Sequence, residues 1–302
     1  MDEAESALVE QFRNVALGGM AAQPRRELGL DATARTIGGS APTVPAPPGV
    51  RPAPPVLIVG GFLTEPLNYE PMRRRLIERG AASAVVAPIH LPDWIIASVV
   101  GFGPLLTRTA LAILKARRVA GGAPLLVVGH SAGGLLARLA TSPEPFDGRR
   151  GGVASSVATL VTLGTPHGLG AAGVRSPHRG IQLARSLDES APGAFFAPRT
   201  AYLTVGSDLV QPHVAPARWL WDRFRGRIFT DIVGPHLAAG GDGIVQVGAS
   251  HLAGAEQMTF HDVRHGHIGG PWYGDAAIID RWWPRAVDLW HGAMEARAAD
   301  QG

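Results

Sequence analysis

The chain contains no cysteine and a single lysine, Lys115, and aromatic residues make up 6% of its 302 residues. The missing cysteines exclude disulfides, thiol nucleophiles and thiolate metal sites, so any nucleophile is an oxygen or a nitrogen. Long apolar runs are also missing. The nearest, Trp94 to Leu106, is shorter than the roughly 18 residues that a membrane-spanning helix needs, and it follows Asp93. Asp2, Glu3 and Glu5 stand where a secretory signal would carry a basic start and an apolar stretch. The expectation is therefore a cytoplasmic protein without a transmembrane segment. The cations are nearly all Arg and the formal net charge is only +3. Arg73-Arg74-Arg75 and Arg117-Arg118 fall on predicted helices, where they read as solvated faces, so no nucleic-acid partner is expected.

What the chain does have is 46% hydrophobic residues, ample for a sizeable core, together with 39 glycines and 25 prolines. Residues 1–54 read as a short helix over Ala4 to Leu17 and then a Pro/Gly-rich linker. Residues 55–292 read as the folded domain, and 293–302 as a tail. Within the domain, apolar β-branched runs at Val56–Val59, Ala84–Ile89, Pro124–Val128, Val153–Leu163, Ala201–Val205 and Gln257–Phe260 predict strands. Helical spacing over Tyr69–Arg79, Thr107–Val119, Ala132–Ala140, Ile181–Leu187 and Ala276–Trp290 fills most of the gaps between them. This alternation predicts an α/β fold with a mostly parallel central sheet flanked by helices. Gly/Pro-broken excursions at about 168–200 and 211–240 predict a small cap or lid. The second of these carries Trp219, Trp221, Phe224 and Phe229, which suit either an apolar entrance or a plain core.

The stretch most charged with chemistry is Leu125-Leu126-Val127-Val128-Gly129-His130-Ser131-Ala132-Gly133-Gly134. A buried strand turns there into a helix through small residues, with Ser131 at the tip. Gly129, Ser131 and Gly133 make a G-x-S-x-G nucleophile elbow, whose sharp bend excludes bulky neighbours. A second strand-to-loop junction, Val59-Gly60-Gly61-Phe62-Leu63, offers the backbone amide of Phe62 to join that of Ala132 around a developing oxyanion. Late in the chain, Asp242 in Gly241-Asp242-Gly243-Ile244-Val245 precedes His265 in His261-Asp262-Val263-Arg264-His265-Gly266-His267. That is the chain order Ser, Asp, His of the α/β hydrolases. Asp208 is the rival acid and His267 the rival base. Leu63, His130, Trp94 and His167 are candidates for contacting substrate, although Trp94 and Ile95 suit packing equally well and His167 suits a loop-shaping role.

With these residues in hand, the chain resembles the α/β hydrolases of the lipase/esterase kind. More narrowly, it is similar to the lipase-like hydrolases of plastids and cyanobacteria, often described as similar to GPI inositol-deacylases. The blocks that carry the resemblance are Val59-Gly60-Gly61-Phe62 with Tyr69, Gly129 to Gly134, Leu163-Gly164-Thr165-Pro166-His167 and Pro192-Gly193-Ala194-Phe195-Phe196. Further along come Gly241 to Val245, His251-Leu252-Ala253-Gly254-Ala255-Glu256 and Pro271-Trp272-Tyr273-Gly274. The chain departs from that group at Gln246 and at Gly266-His267, where its members usually carry Pro after the acid loop and a small residue with Pro after the histidine. The resemblance implies a Ser131 nucleophile, an Asp242 acid, a His265 base, no cofactor and a small-molecule or lipid ester as substrate. An acyltransferase or amidase would use the same triad. A metal loop built on His261, Asp262, His265 and His267 lacks a second set of ligands. A catalytically silent binding module would have no need of the serine, acid and histidine together. The oligomeric state is left open.

Overall fold

The structure, a computed structural model, describes residues 51–169, 179–209, 240–267 and 270–300. The expected N-terminal helix, most of the linker and nearly all of the 211–240 excursion, with Trp219, Trp221, Phe224 and Phe229, lie outside the described residues.

Six parallel strands form one sheet among the described residues: β1 (Pro55–Val59), β2 (Ser83–Val86), β3 (Leu125–His130), β4 (Val157–Leu163), β5 (Ala201–Ser207) and β6 (Glu256–Phe260). Their order across the sheet is β2-β1-β3-β4-β5-β6. Every residue of β1, β3 and β4 is buried, as expected of a parallel strand covered on both faces. Side chains alternate between the two faces, so neighbouring residues enter different cores. Leu57, Val59, Leu125 and Val127 pack under α2 (Leu91–Val100), α3 (Gly103–Val119), α4 (Ala132–Thr141) and α5 (Arg179–Ser190). Val56, Ile58, Leu126 and Val128 pack under α1 (Glu70–Glu78) and α7 (Ala276–Ala299), which meet them with Met72, Leu76, Trp282 and Trp290. A one-turn helix, α6 (Val247–Ser250), precedes β6.

The chain runs from β1 outward to β2 and then crosses back to β3 on the other side of β1. The winding therefore reverses between β1 and β3, and a crevice opens at the carboxyl ends of these two strands. Both glycine-rich junctions identified in the sequence, after Val59 and after His130, empty into that crevice.

Two expectations change. The segment from His90, outside the helices expected from the spacing, is helix α2: Pro92 stands in its first turn, where a missing N–H costs nothing, and the His90 amide donates to Asp93 Oδ2 at 2.9 Å. The closing helix does not end at Trp290 but runs to Ala299, because Ala293 is buried and Met294 packs on the same core. The described part of the 168–200 excursion contributes helix α5 to the domain. Leu183, Ala184 and Leu187 of α5 are buried in the core shared with α4.

Candidate active site

Ser131 is the hinge between β3 and α4. Its backbone sits at φ 53° and ψ −129°, a region that side chains rarely occupy, and its amide donates to Leu163 O at 2.9 Å. The bend leaves no room around it. A Cβ at position 129 would lie 2.4 Å from Gly134 Cα, and one at position 133 would lie 2.2 Å from Val59 O. Small residues here are a steric requirement of the elbow. They also let the first turn of α4, with its unpaired amides and positive dipole end, face the crevice.

Two loops bring partners to the serine. His265 Nε2 lies 2.9 Å from Ser131 Oγ, and His265 Nδ1 lies 2.8 Å from Asp242 Oδ2. Opposite a carboxylate, Nδ1 carries the proton, so Nε2 presents its lone pair to the hydroxyl. Asp242 is 1% exposed and its carboxylate is fully engaged. Oδ1 accepts from the amides of Ile244 at 3.0 Å and Val245 at 2.8 Å, and Oδ2 also accepts from the Tyr273 hydroxyl at 3.0 Å. Burial alone would raise the Asp242 pKa, but the charge and hydrogen bond of His265 and the two amides outweigh it and hold the group below the usual carboxylate range. Burial and the Asp242 charge push the Tyr273 phenol well above its ordinary value, so it remains a donor. The two loops are stitched together by main chain, His265 N to Asp242 O at 3.0 Å. Gly164, at φ 54°, makes the space: a Cβ there would sit 2.6 Å from Asp242 Oδ2.

No protein-family model and no curated protein matches the chain. Among solved structures it is similar to the mature form of the Bacillus licheniformis lipase BlEst2, at 15% identity and a TM-score of 0.50, over 78% of this chain and 92% of that one. The propeptide form of the same lipase aligns with the same identity and TM-score over 78% of this chain and 50% of the longer one. The fold is that of the α/β hydrolases.

In that fold the residues named from the sequence divide sharply. Ser131, His265 and Asp242 form one hydrogen-bonded chain at the β1/β3 crevice. The rival acid Asp208 instead pairs with His261, 2.6 Å away, and the rival base His267 is exposed with its ring 6.0 Å from that of Trp272. Asp262 pairs with Arg281, so the side chains of the supposed metal loop are committed separately. The β1 loop reaches the elbow: a Cβ at position 61 would lie 2.9 Å from Ser131 Cβ. Phe62 follows it, half-exposed, with its ring edge-on to Trp94 at 5.5 Å. Leu63 is partly buried against the first core at φ 57°.

Three of the suggested substrate contacts are corrected. Trp94 is 1% exposed and belongs to the hydrophobic core of the α/β-hydrolase domain. His167 is buried between Arg138, whose guanidinium is 3.2 Å from Nδ1, and the Thr162 hydroxyl, 2.9 Å from Nε2. Burial first, and then the Arg138 charge, keep it neutral, with a pKa well below the usual histidine value. His130 is buried with both ring nitrogens engaged, by the Tyr69 hydroxyl and by the His265 carbonyl. The sequence reading gave no role to Tyr69, Tyr273 or Gly164. The positive φ of Gly164 has no signature beyond the glycine itself, and both tyrosines find their partners far along the chain.

Proposed function

We propose that the chain is a serine hydrolase of carboxylic esters, acting through an acyl-enzyme on Ser131. Ser131 Oγ attacks the ester carbonyl while His265 Nε2 takes its proton, and Asp242 orients the imidazole and offsets its charge. The proton then passes to the leaving alcohol, and water, activated by the same histidine, releases the acid. The amides of Phe62 and Ala132 receive the oxyanion, and the loss of one such donor would raise the barrier by about 3 kcal/mol. The observation that carries this reading is the unbroken chain Ser131 Oγ, His265, Asp242 at 2.9 and 2.8 Å, next to a strained elbow.

The ester class draws support from the sharing of the α/β-hydrolase fold with a bacterial lipase. An apolar acyl group draws support from half-exposed Phe62 beside the elbow and from Ile95, Ile96, Val99 and Val100, exposed on α2. The shared blocks also favour kinship with the plastid and cyanobacterial lipase-like hydrolases, and the reading assigns the chemistry to residues 55–292. The test is a series of p-nitrophenyl esters of graded acyl length, with fluorophosphonate labelling. The wild-type chain is expected to turn over at least one ester and to be labelled at Ser131, and Ser131→Ala to do neither while staying folded. An active Ser131→Ala variant would overturn the proposal.

A further inference from the structure

Beside the serine runs a second string of hydrogen bonds that the mechanism does not use. The Gly61 amide donates to Tyr69 Oη at 2.8 Å, Tyr69 Oη lies 2.7 Å from His130 Nδ1, and His130 Nε2 lies 2.8 Å from the carbonyl oxygen of His265. The directions follow from the chemistry of the ends. A carbonyl can only accept, so Nε2 of His130 carries a proton. Burial, and then the charge on His265, lower the His130 pKa to about 3, so the ring is neutral and Nδ1 is its acceptor. Tyr69 therefore donates to Nδ1 and receives the Gly61 amide on its oxygen. All three protons point from the β1 loop toward the histidine loop, an arrangement in which each bond polarises the next.

The string is built into the fold. Strand alternation turns His130, like Leu126 and Val128, toward the face that holds Tyr69, Trp272 and Tyr273. Gly60 leaves space for the tyrosine ring, since a Cβ there would lie 2.6 Å from Tyr69 Cε2. Thr64 Oγ1 fixes the far side of the loop by donating to the Gly61 carbonyl at 2.7 Å. One end of the string is the residue before Phe62, and the other is the main chain of His265 itself.

We propose that Tyr69 and His130 are positioning residues that tie the β1 loop to the histidine loop, so that the Phe62 amide and the His265 imidazole are held in mutual register before substrate arrives. The tie stands on the hydrogen bonds alone. Its consequence for turnover rests on the ester-hydrolase reading.

Two measurements on the full chain separate these. Imidazole 15N spectra at pH 7 are expected to show His130 neutral and protonated at Nε2, and hydrogen exchange at the Gly61 amide is expected to speed up in Tyr69→Phe. A His130 protonated at Nδ1, or a Gly61 amide exchanging at the wild-type rate in Tyr69→Phe, overturns the tie whether or not any ester is cleaved. With p-nitrophenyl butyrate, Tyr69→Phe and His130→Leu are each expected to lower kcat on the order of tenfold to a hundredfold with KM little changed. The double variant should be no worse than the poorer single one, since one string is cut in both. His130→Gln, which keeps a donor near the position of Nε2, should recover part of the loss. A folded His130→Leu variant with wild-type kcat, or losses that simply multiply in the double variant, overturns the positioning role. A wild-type chain that cleaves no ester but shows the expected spectra and exchange upholds the tie and removes the ester reading.

Discussion

Tyr273 donates its phenolic hydroxyl to Asp242 Oδ2 at 3.0 Å, on the same oxygen that faces His265 Nδ1. Among the described residues the carboxylate thus accepts four hydrogen bonds in a buried place, with Tyr273 the one side-chain donor besides the histidine. A hydrogen bond to a buried charge contributes about 1.5–3 kcal/mol. Tyr273→Phe is expected to lower unfolding stability in urea at pH 7 by about that amount. It should lower kcat by less than about tenfold, since three donors still hold the acid. Unchanged stability would show that the phenol is not bonded to the acid.

The acid and the base each had a rival, and single substitutions should rank them. Asp242→Asn would leave His265 in the wrong tautomer and is expected to cut kcat on the order of 10³–10⁴-fold. Asp208 pairs with His261, and the His267 ring lies beside Trp272, both outside the hydrogen-bonded chain of Ser131, His265 and Asp242. Asp208→Asn and His267→Gln should both stay within about twofold of the wild-type rate. Comparable losses from Asp208→Asn and Asp242→Asn would reopen the assignment.

The parts of the fold and site legible in the sequence were those whose cause is local. The run from Pro124 to Val128 reads as a doubly covered strand because Leu125, Leu126, Val127 and Val128 are all apolar. The elbow reads as an elbow because its small residues are adjacent. Helix α2 is hidden in the sequence because Leu91-Pro92-Asp93-Trp94-Ile95-Ile96 carries a proline and lacks a clear polar face, yet a proline is harmless in a first turn. His130 adjoins Ser131 in sequence, yet the alternation of β3 gives it the parity of Leu126 and Val128 and turns it toward their core. His130 lies 61 residues from Tyr69 and Asp242 31 residues from Tyr273, and nothing in the local pattern announces such pairings.

Buried neutral histidines make the fold sensitive to acid. His130, lowered to about 3, and His167, lowered well below 6.5, stay neutral when folded but take up protons near pH 6.5 when unfolded. The unfolded state then binds more protons. The stabilisation is complete above about pH 6.5 and is lost as the pH falls toward the folded values, at about 1.4 kcal/mol per pH unit for each histidine. Half-buried His251 is shifted in the same direction. Asp242, also held below its ordinary value, adds its own loss only below about pH 4. Urea unfolding at pH 8, 6 and 5 should show stability level at first and then falling by the equivalent of about two protons. His167→Gln should reduce that slope by about one proton. A flat profile from pH 8 to pH 5 would mean that the two rings are not buried neutral.

The strain at the elbow can be measured apart from its chemistry. Ser131 holds φ 53° with ψ −129°, where a Cβ is unwelcome and glycine is not. Ser131→Ala and Ser131→Gly both remove the hydroxyl and its contact with His265 Nε2, so any difference between them comes from the backbone. Glycine gives up more conformational freedom on folding, a cost of about 0.5–1 kcal/mol, while release of the strained conformation returns about 1–3 kcal/mol. Ser131→Gly is therefore expected to be more stable than Ser131→Ala, by up to about 2.5 kcal/mol in urea unfolding, though neither turns over ester. At ordinary positions the order is the reverse, with alanine favoured. If alanine proved the more stable here, the bend would be relaxed rather than strained.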